Sequence, residues 1–97
     1  MVGRAVGMSI TVKPLGDHDW SVEIQESKDA DATAHRLTVS PETIATLGVR
    51  DERALVHEAV AVWLDHRKGT ALPHDVDIDW LEHHVDGFLD ELTTRLS

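Results

Sequence analysis

Residues 33–42 read Thr33-Ala34-His35-Arg36-Leu37-Thr38-Val39-Ser40-Pro41-Glu42, and they mark the change from strand to helix along this chain. Apolar and polar side chains alternate from His35 to Val39, which predicts a strand with one buried face. Ser40 suits a helix N-cap, because its hydroxyl can accept backbone N–H groups that lack partners in the first turn. Pro41 suits the first helical position. The stretch therefore predicts strands before it and helices after it.

Two further strands are predicted upstream, over residues 8–13 and 20–25, because both segments alternate with a period of two. The turn residues Pro14-Leu15-Gly16-Asp17 and a polar loop over 26–31 separate the three strands, and short connections favour an antiparallel meander. The apolar faces of the three strands carry Met8, Ile10, Val12, Trp20, Val22, Ile24, His35, Leu37 and Val39.

Three helices are predicted downstream. A short helix begins after Ser40 and ends at Gly48, and a longer amphipathic helix begins near Asp51. Residues 70–77 form a linker, after which Asp75 or Asp77 caps the last helix. One helix from 78 to 96 is indicated by a single apolar stripe of Ile78, Leu81, Val85, Phe88, Leu89, Leu92 and Leu96.

The predicted fold class is α+β, with a three-stranded antiparallel β-meander followed by a short helix and two longer amphipathic helices packed on one sheet face. The helices cover the sheet, because a three-stranded sheet with an apolar face does not stand alone in water. Residues 8–97 form a single domain, and residues 1–7 are expected to be a disordered tail. Pairing of a sheet edge or of the helices with a second copy would make a homodimer.

The chain is acidic: 18 Asp and Glu against 9 Lys and Arg among 97 residues give a formal charge of −9. Nucleic acid binding and anionic membrane surfaces are therefore disfavoured, and a basic or neutral protein partner, or self-association, is favoured. No apolar run is long enough to span a bilayer. The chain has no cysteine, which excludes disulfides, thiolate catalysis and cysteine–zinc sites. Cytoplasm is the expected location.

Seven histidines are the most unusual feature of the composition. Five of them lie in the second half, but no two are four residues apart, as a pair of metal ligands on one helix face would be. Asp79 and His83 show that spacing. The chain has no nucleophile-elbow motif, phosphate-binding glycine loop or His-Glu-x-x-His motif. We therefore expect no catalytic residues, metal ligands or cofactor, and keep a small metal-binding or hydrolytic protein that uses the histidine-rich half as an alternative.

The segment over 35–65 contains Arg36-Leu37-Thr38-Val39-Ser40-Pro41-Glu42, then Leu47-Gly48-Val49, then Leu55-Val56-His57-Glu58-Ala59-Val60. This order of a strand, a short helix, a glycine turn and a longer helix resembles the ribbon-helix-helix family of DNA-binding transcriptional regulators and antitoxins. In that family, strands from two chains pair and enter the major groove. The resemblance implies that Arg36, Thr38 and Ser40 would read bases.

Most of the chain after residue 8 also resembles small actinobacterial α+β proteins of unknown function. The residues that carry this resemblance are Thr33-x-His35-Arg36-Leu37-Thr38-Val39 ahead of Leu55-Val56 and the helices with aromatic residues. It implies a bacterial protein and no particular activity.

The sequence favours a non-enzymatic protein-interaction or regulatory module. Its candidate partner-binding surface is the acidic exterior of the last two helices, which carries Glu58, Asp65, Glu82, Asp86 and Asp90. The alternative is that these charges only keep the domain soluble.

Overall fold

The computed structural model describes residues 9–25, 31–66 and 72–96. The elements within these ranges are β1 (Ser9–Gly16), β2 (Asp19–Gln25), β3 (Thr33–Thr38), α1 (Pro41–Leu47), α2 (Glu52–His66), β4 (Asp75–Asp77), α3 (Ile78–His84) and α4 (Phe88–Leu96). The predicted α+β class is confirmed. The predicted tail over 1–7, the start of the first strand at Met8 and most of the polar loop predicted over 26–31 lie outside the described residues.

The sheet contains one strand more than the sequence predicted. β1, β2 and β3 pair antiparallel in the predicted order, but β4 adds to β3 in parallel, so the sheet is mixed. The Arg36 N–H donates to the His74 carbonyl at 2.7 Å. The prediction that 70–77 is only a linker is therefore wrong. Three residues are too few for a period of two to be recognised, and Val76 alone is buried between two exposed aspartates.

The first hairpin turns two residues later than its sequence signals indicated. β1 continues through Pro14 to Gly16, with a register shift between these two residues, and the turn consists of Asp17 and His18. His18 adopts a left-handed conformation with φ +63°, and its carbonyl accepts a hydrogen bond from the Val39 N–H at 2.8 Å. The turn is thus hydrogen-bonded to the residue that directly follows β3.

The core lies between one face of the sheet and the helices. The predicted apolar strand faces are confirmed, with Ile10 and Trp20 half-buried at the margin. The buried side chains are Val12, Val22, Ile24, Leu37, Val39, Leu55, Val56, Ala59, Val60, Val62, Trp63, Leu72, Val76, Ile78, Leu81, Val85, Phe88 and Leu92.

Helix caps lie where the sequence signals predicted them. The Ser40 hydroxyl accepts from the Glu42 N–H at 3.2 Å, and α1 ends at Gly48 in the left-handed conformation. The Asp77 carboxylate accepts from the Trp80 N–H at 2.7 Å and so caps α3. These local bonds satisfy backbone donors that a helix leaves without intrahelical partners.

The prediction of one helix from 78 to 96 is wrong. α3 ends at His84, Val85 is extended, and Gly87 adopts φ +69° before α4 begins at Phe88. A left-handed residue interrupts a right-handed helix, and glycine adopts that conformation without the steric cost of a Cβ. The apolar stripe runs through the break because α3 and α4 both pack on the same core, so the stripe alone could not reveal it. Within the described residues, no helix is long and apolar enough to cross a membrane.

Candidate functional site

The residues that the ribbon-helix-helix resemblance assigned to DNA lie on and after β3. Arg36 donates to Asp19 at 2.6 Å and Thr38 donates to the same carboxylate at 2.8 Å, while Ser40 caps α1. The hydrogen bond from Arg36, followed by that from Thr38, holds the pKa of Asp19 below its usual value of 3.8. β3 also lies between β2 and β4. Base reading would require these side chains to leave Asp19, and pairing of β3 with a second chain would require it to lose a neighbouring strand.

The histidines of the described residues do not converge. No group of three or more His, Asp or Glu side chains in those ranges is placed to hold a metal ion. The His83 ring is hydrogen-bonded within its own helix, because its Nδ1 lies 2.8 Å from the backbone carbonyl oxygen of Asp79. His35 is half-buried, and its Nδ1 lies 2.9 Å from the Pro73 carbonyl oxygen.

Trp80, His84 and Phe88 are spaced four residues apart, which in one continuous helix would place the three rings along one edge. The Trp80 and His84 rings stack with centroids 3.9 Å apart, and Trp80 also contacts Trp63 at 5.1 Å. Phe88 lies beyond the helix break and is buried in the core. The three rings therefore do not form one row.

The predicted acidic surface divides into two parts. Glu58 and Asp65 face Arg95 of α4: the guanidinium hydrogen-bonds to Asp65 and lies 3.7 Å from Glu58. Arg95 also donates to Glu91 at 3.0 Å, and His66 lies 2.6 Å from the same carboxylate. Hydrogen bonds from His66 and then Arg95 lower the pKa of Glu91. Arg95 therefore links α2 to α4 and offsets part of the charge of these three acids.

The other three predicted acids, Glu82, Asp86 and Asp90, lie together. They line a surface depression of about 390 Å³ at the turn from α3 to α4, which we call the α3–α4 groove. No ion pair within the described ranges involves any of the three. All three side chains are exposed, and no cation of the described part of the chain offsets their charge.

Local structure explains how the α3–α4 groove forms. The Val85 N–H closes the last turn of α3 by donating to Leu81 at 2.9 Å, and the Glu91 N–H donates to the Gly87 carbonyl at 3.0 Å in the first turn of α4. Val85 and Phe88 lie beneath it and are almost fully buried, so half-buried Leu89 is the main apolar side chain of its lining. The groove thus presents three acidic side chains around one partly exposed leucine.

Two arrangements were missed at the sequence level. The first is the contact of Arg95 with acids of the predicted surface. Its spacing of four residues from Glu91, which is typical of an ion pair on one helix, was the one local signal for it. Glu52 accepts from the Trp20 indole at 2.6 Å and from the His18 ring at 3.1 Å. These partners are more than 30 residues away in the chain, so no local pattern indicated them.

Comparisons of this chain with models of protein families, with curated proteins and with solved structures found no match. The candidate site therefore depends on the geometry of the chain itself.

Proposed function

We propose that this chain is a non-enzymatic protein-interaction module that binds a basic, partly apolar segment of a partner protein in the α3–α4 groove. The observation that carries the proposal is the set of three carboxylates, from Glu82, Asp86 and Asp90, which surround half-buried Leu89 and have no ion-pair partner among the described residues. A cationic side chain would meet the carboxylates, and an apolar neighbour would cover Leu89.

The charge of the whole chain supports the same kind of partner. A formal charge of −9 attracts a basic segment over several ångströms and speeds its association, an effect that added salt screens. Glu58, Asp65 and Glu91 add less to this attraction, because the positive charge of Arg95 lies among them.

The size of the expected effect follows from three exposed charge pairs. Exposed pairs contribute about 0.2–1 kcal/mol each, so three contribute about 0.6–3 kcal/mol, which is roughly a 3- to 160-fold change in affinity. Glu82→Gln, Asp86→Asn and Asp90→Asn together remove the charges and keep the shapes of the side chains. Glu58→Gln with Asp65→Asn is the control outside the groove, since it removes two acids that contact Arg95, against three acids in the groove variant.

The experiment is capture from the native cell. Immobilised wild-type chain, the triple groove variant and the double control variant are exposed to the same lysate, and bound proteins are quantified by mass spectrometry. A groove partner is retained by wild type and the control, is lost from the groove variant and carries a basic segment. If no protein follows this pattern, or if both variants lose the same proteins equally, the proposal is wrong. Action in the cytoplasm stays a prediction of the sequence.

A further inference from the structure

β1 forms one edge of the sheet. In the sheet order β1-β2-β3-β4, β1 has eight residues and pairs with β2 alone among the described strands, whereas the opposite edge strand β4 has three. A long strand edge presents backbone N–H and C=O groups that another strand can pair with. The β1 edge is therefore the larger template of the two.

Pro14 fixes which backbone groups of β1 point outward. Antiparallel strands alternate between hydrogen-bonded and non-hydrogen-bonded residue pairs, and proline has no N–H for a bonded pair. Pro14 pairs with Trp20, and the register is regular from there back to Ser9 opposite Gln25. Pro14 therefore forms a non-bonded pair with Trp20. Because bonded and non-bonded pairs alternate, Val12 and Ile10 also form non-bonded pairs with β2, and their N–H and C=O groups point to the open edge.

We propose that this chain forms a symmetric homodimer in which β1 pairs antiparallel with the β1 strand of a second copy, about a two-fold axis at Thr11. This register sets Ile10 opposite the partner's Val12, and each such pair exchanges two backbone hydrogen bonds. Thr11 lies opposite the partner's Thr11 in a non-bonded pair, where β-branched side chains pack closely. The two four-stranded sheets then form one eight-stranded sheet.

Two alternative registers fit less well. A shift of one residue would place the apolar residues of one copy opposite polar residues of the other, so the covered faces of the two sheets would not align. A shift of two residues toward the turn would set Ile10 opposite the partner's Pro14, which cannot donate to the Ile10 carbonyl. The register centred on Thr11 satisfies the outward donors and acceptors of Ile10 and Val12.

The charge of the interface is compatible with this pairing. Lys13 is the one charged residue of β1, and the register sets it opposite the partner's Ser9. The two Lys13 side chains then lie about 13 Å apart along the strands. Two copies of charge −9 repel each other over longer range, so added salt is expected to strengthen the dimer.

Cysteine crosslinking tests the register directly, because the chain contains no cysteine of its own. Thr11→Cys places two thiols opposite each other in a non-bonded pair, at a separation that a disulfide spans. Lys13→Cys places them too far apart. Ala34→Cys is the control away from the edge, since Ala34 is exposed on β3 in the same row of the sheet as Thr11. Thr11→Cys is expected to crosslink at least about ten-fold faster than either.

Analytical ultracentrifugation over a range of concentrations tests the dimer without crosslinking. Wild type and Ala34→Lys are expected to dimerise, whereas Thr11→Lys sets two cations opposite each other and shifts the chain to monomer. Circular dichroism establishes that both variants are folded. A monomeric wild type at every concentration and salt, or equal crosslinking of the three cysteine variants, overturns the proposal. Binding in the α3–α4 groove is measured separately, since a monomer retains that groove.

Discussion

Gly87 decides whether α3 and α4 are two helices or one, and replacing it by alanine tests that break. Its φ is +69°, and a Cβ added to it meets no atom within 4 Å. Alanine therefore causes no clash, and its cost is the left-handed backbone alone, about 1–2 kcal/mol. If the chain were a continuous helix here, alanine would instead stabilise it by up to about 1 kcal/mol. The two structures thus predict opposite signs for one substitution.

Thermal and urea unfolding of Gly87→Ala measure that sign. We expect the melting temperature to fall by about 4–16 °C, since 1 kcal/mol corresponds to about 4–8 °C in a domain of this size. Gly48→Ala, at φ +65°, is expected to lose a similar amount, whereas Gly16→Ala has no positive φ and adds no close contact. Gly87→Asn should lose less than Gly87→Ala, because asparagine tolerates this conformation better. A Gly87→Ala chain as stable as wild type, or more stable, would refute the helix break.

Three further predictions concern the core, a cap and the response to acid. Leu92→Ala removes a fully buried side chain and should destabilise the fold by about 2–5 kcal/mol in urea unfolding, whereas Leu15→Ala, at a side chain that is 59% exposed, should change it little. Asp77→Ala removes the N-cap of α3 and should cost about 1 kcal/mol, while Asp75→Ala should cost less because no capping bond involves it; equal losses would contradict the cap. Glu91→Gln should be less stable than wild type at neutral pH, and the difference should shrink as pH falls below the usual glutamate value of 4.5. The lowered pKa means that this carboxylate stabilises the fold when ionised and stops doing so once protonated, and a pH-independent difference in melting temperature would contradict it.

Local signals in the sequence predicted most of the fold. The alternation from Ile10 to Val12 and from Val22 to Ile24 sets which strand faces are buried, because successive side chains of a strand point to opposite sides. Ser40 and Gly48 set the bounds of α1 through bonds to residues close in the chain. Strand faces and helix caps depend on residues that are close together in the chain, so they can be predicted from one sequence.

The features that were not predicted depend on tertiary contacts. β4 forms because Val76 fills the core beside Leu37, and three residues show no period of their own. The helix break at Gly87 was hidden because two helices on one core continue the same apolar stripe. The helical pattern predicted that Glu82, Asp86 and Asp90 are exposed, and their role in binding a partner stays a prediction. The pairing of Asp65 with Arg95, 30 residues away, was not predicted because it depends on the packing of α2 against α4.

Isothermal titration of a synthetic peptide that alternates lysines with leucines tests most directly whether the α3–α4 groove is a binding site for basic, partly apolar segments. The peptide is titrated into wild type, into the Glu82→Gln, Asp86→Asn and Asp90→Asn triple variant, and into the Glu58→Gln and Asp65→Asn control. We expect the groove variant to bind roughly 3- to 160-fold more weakly than wild type, and the control to stay close to wild type. Equal affinity of all three proteins, or a larger loss in the control, would contradict the account.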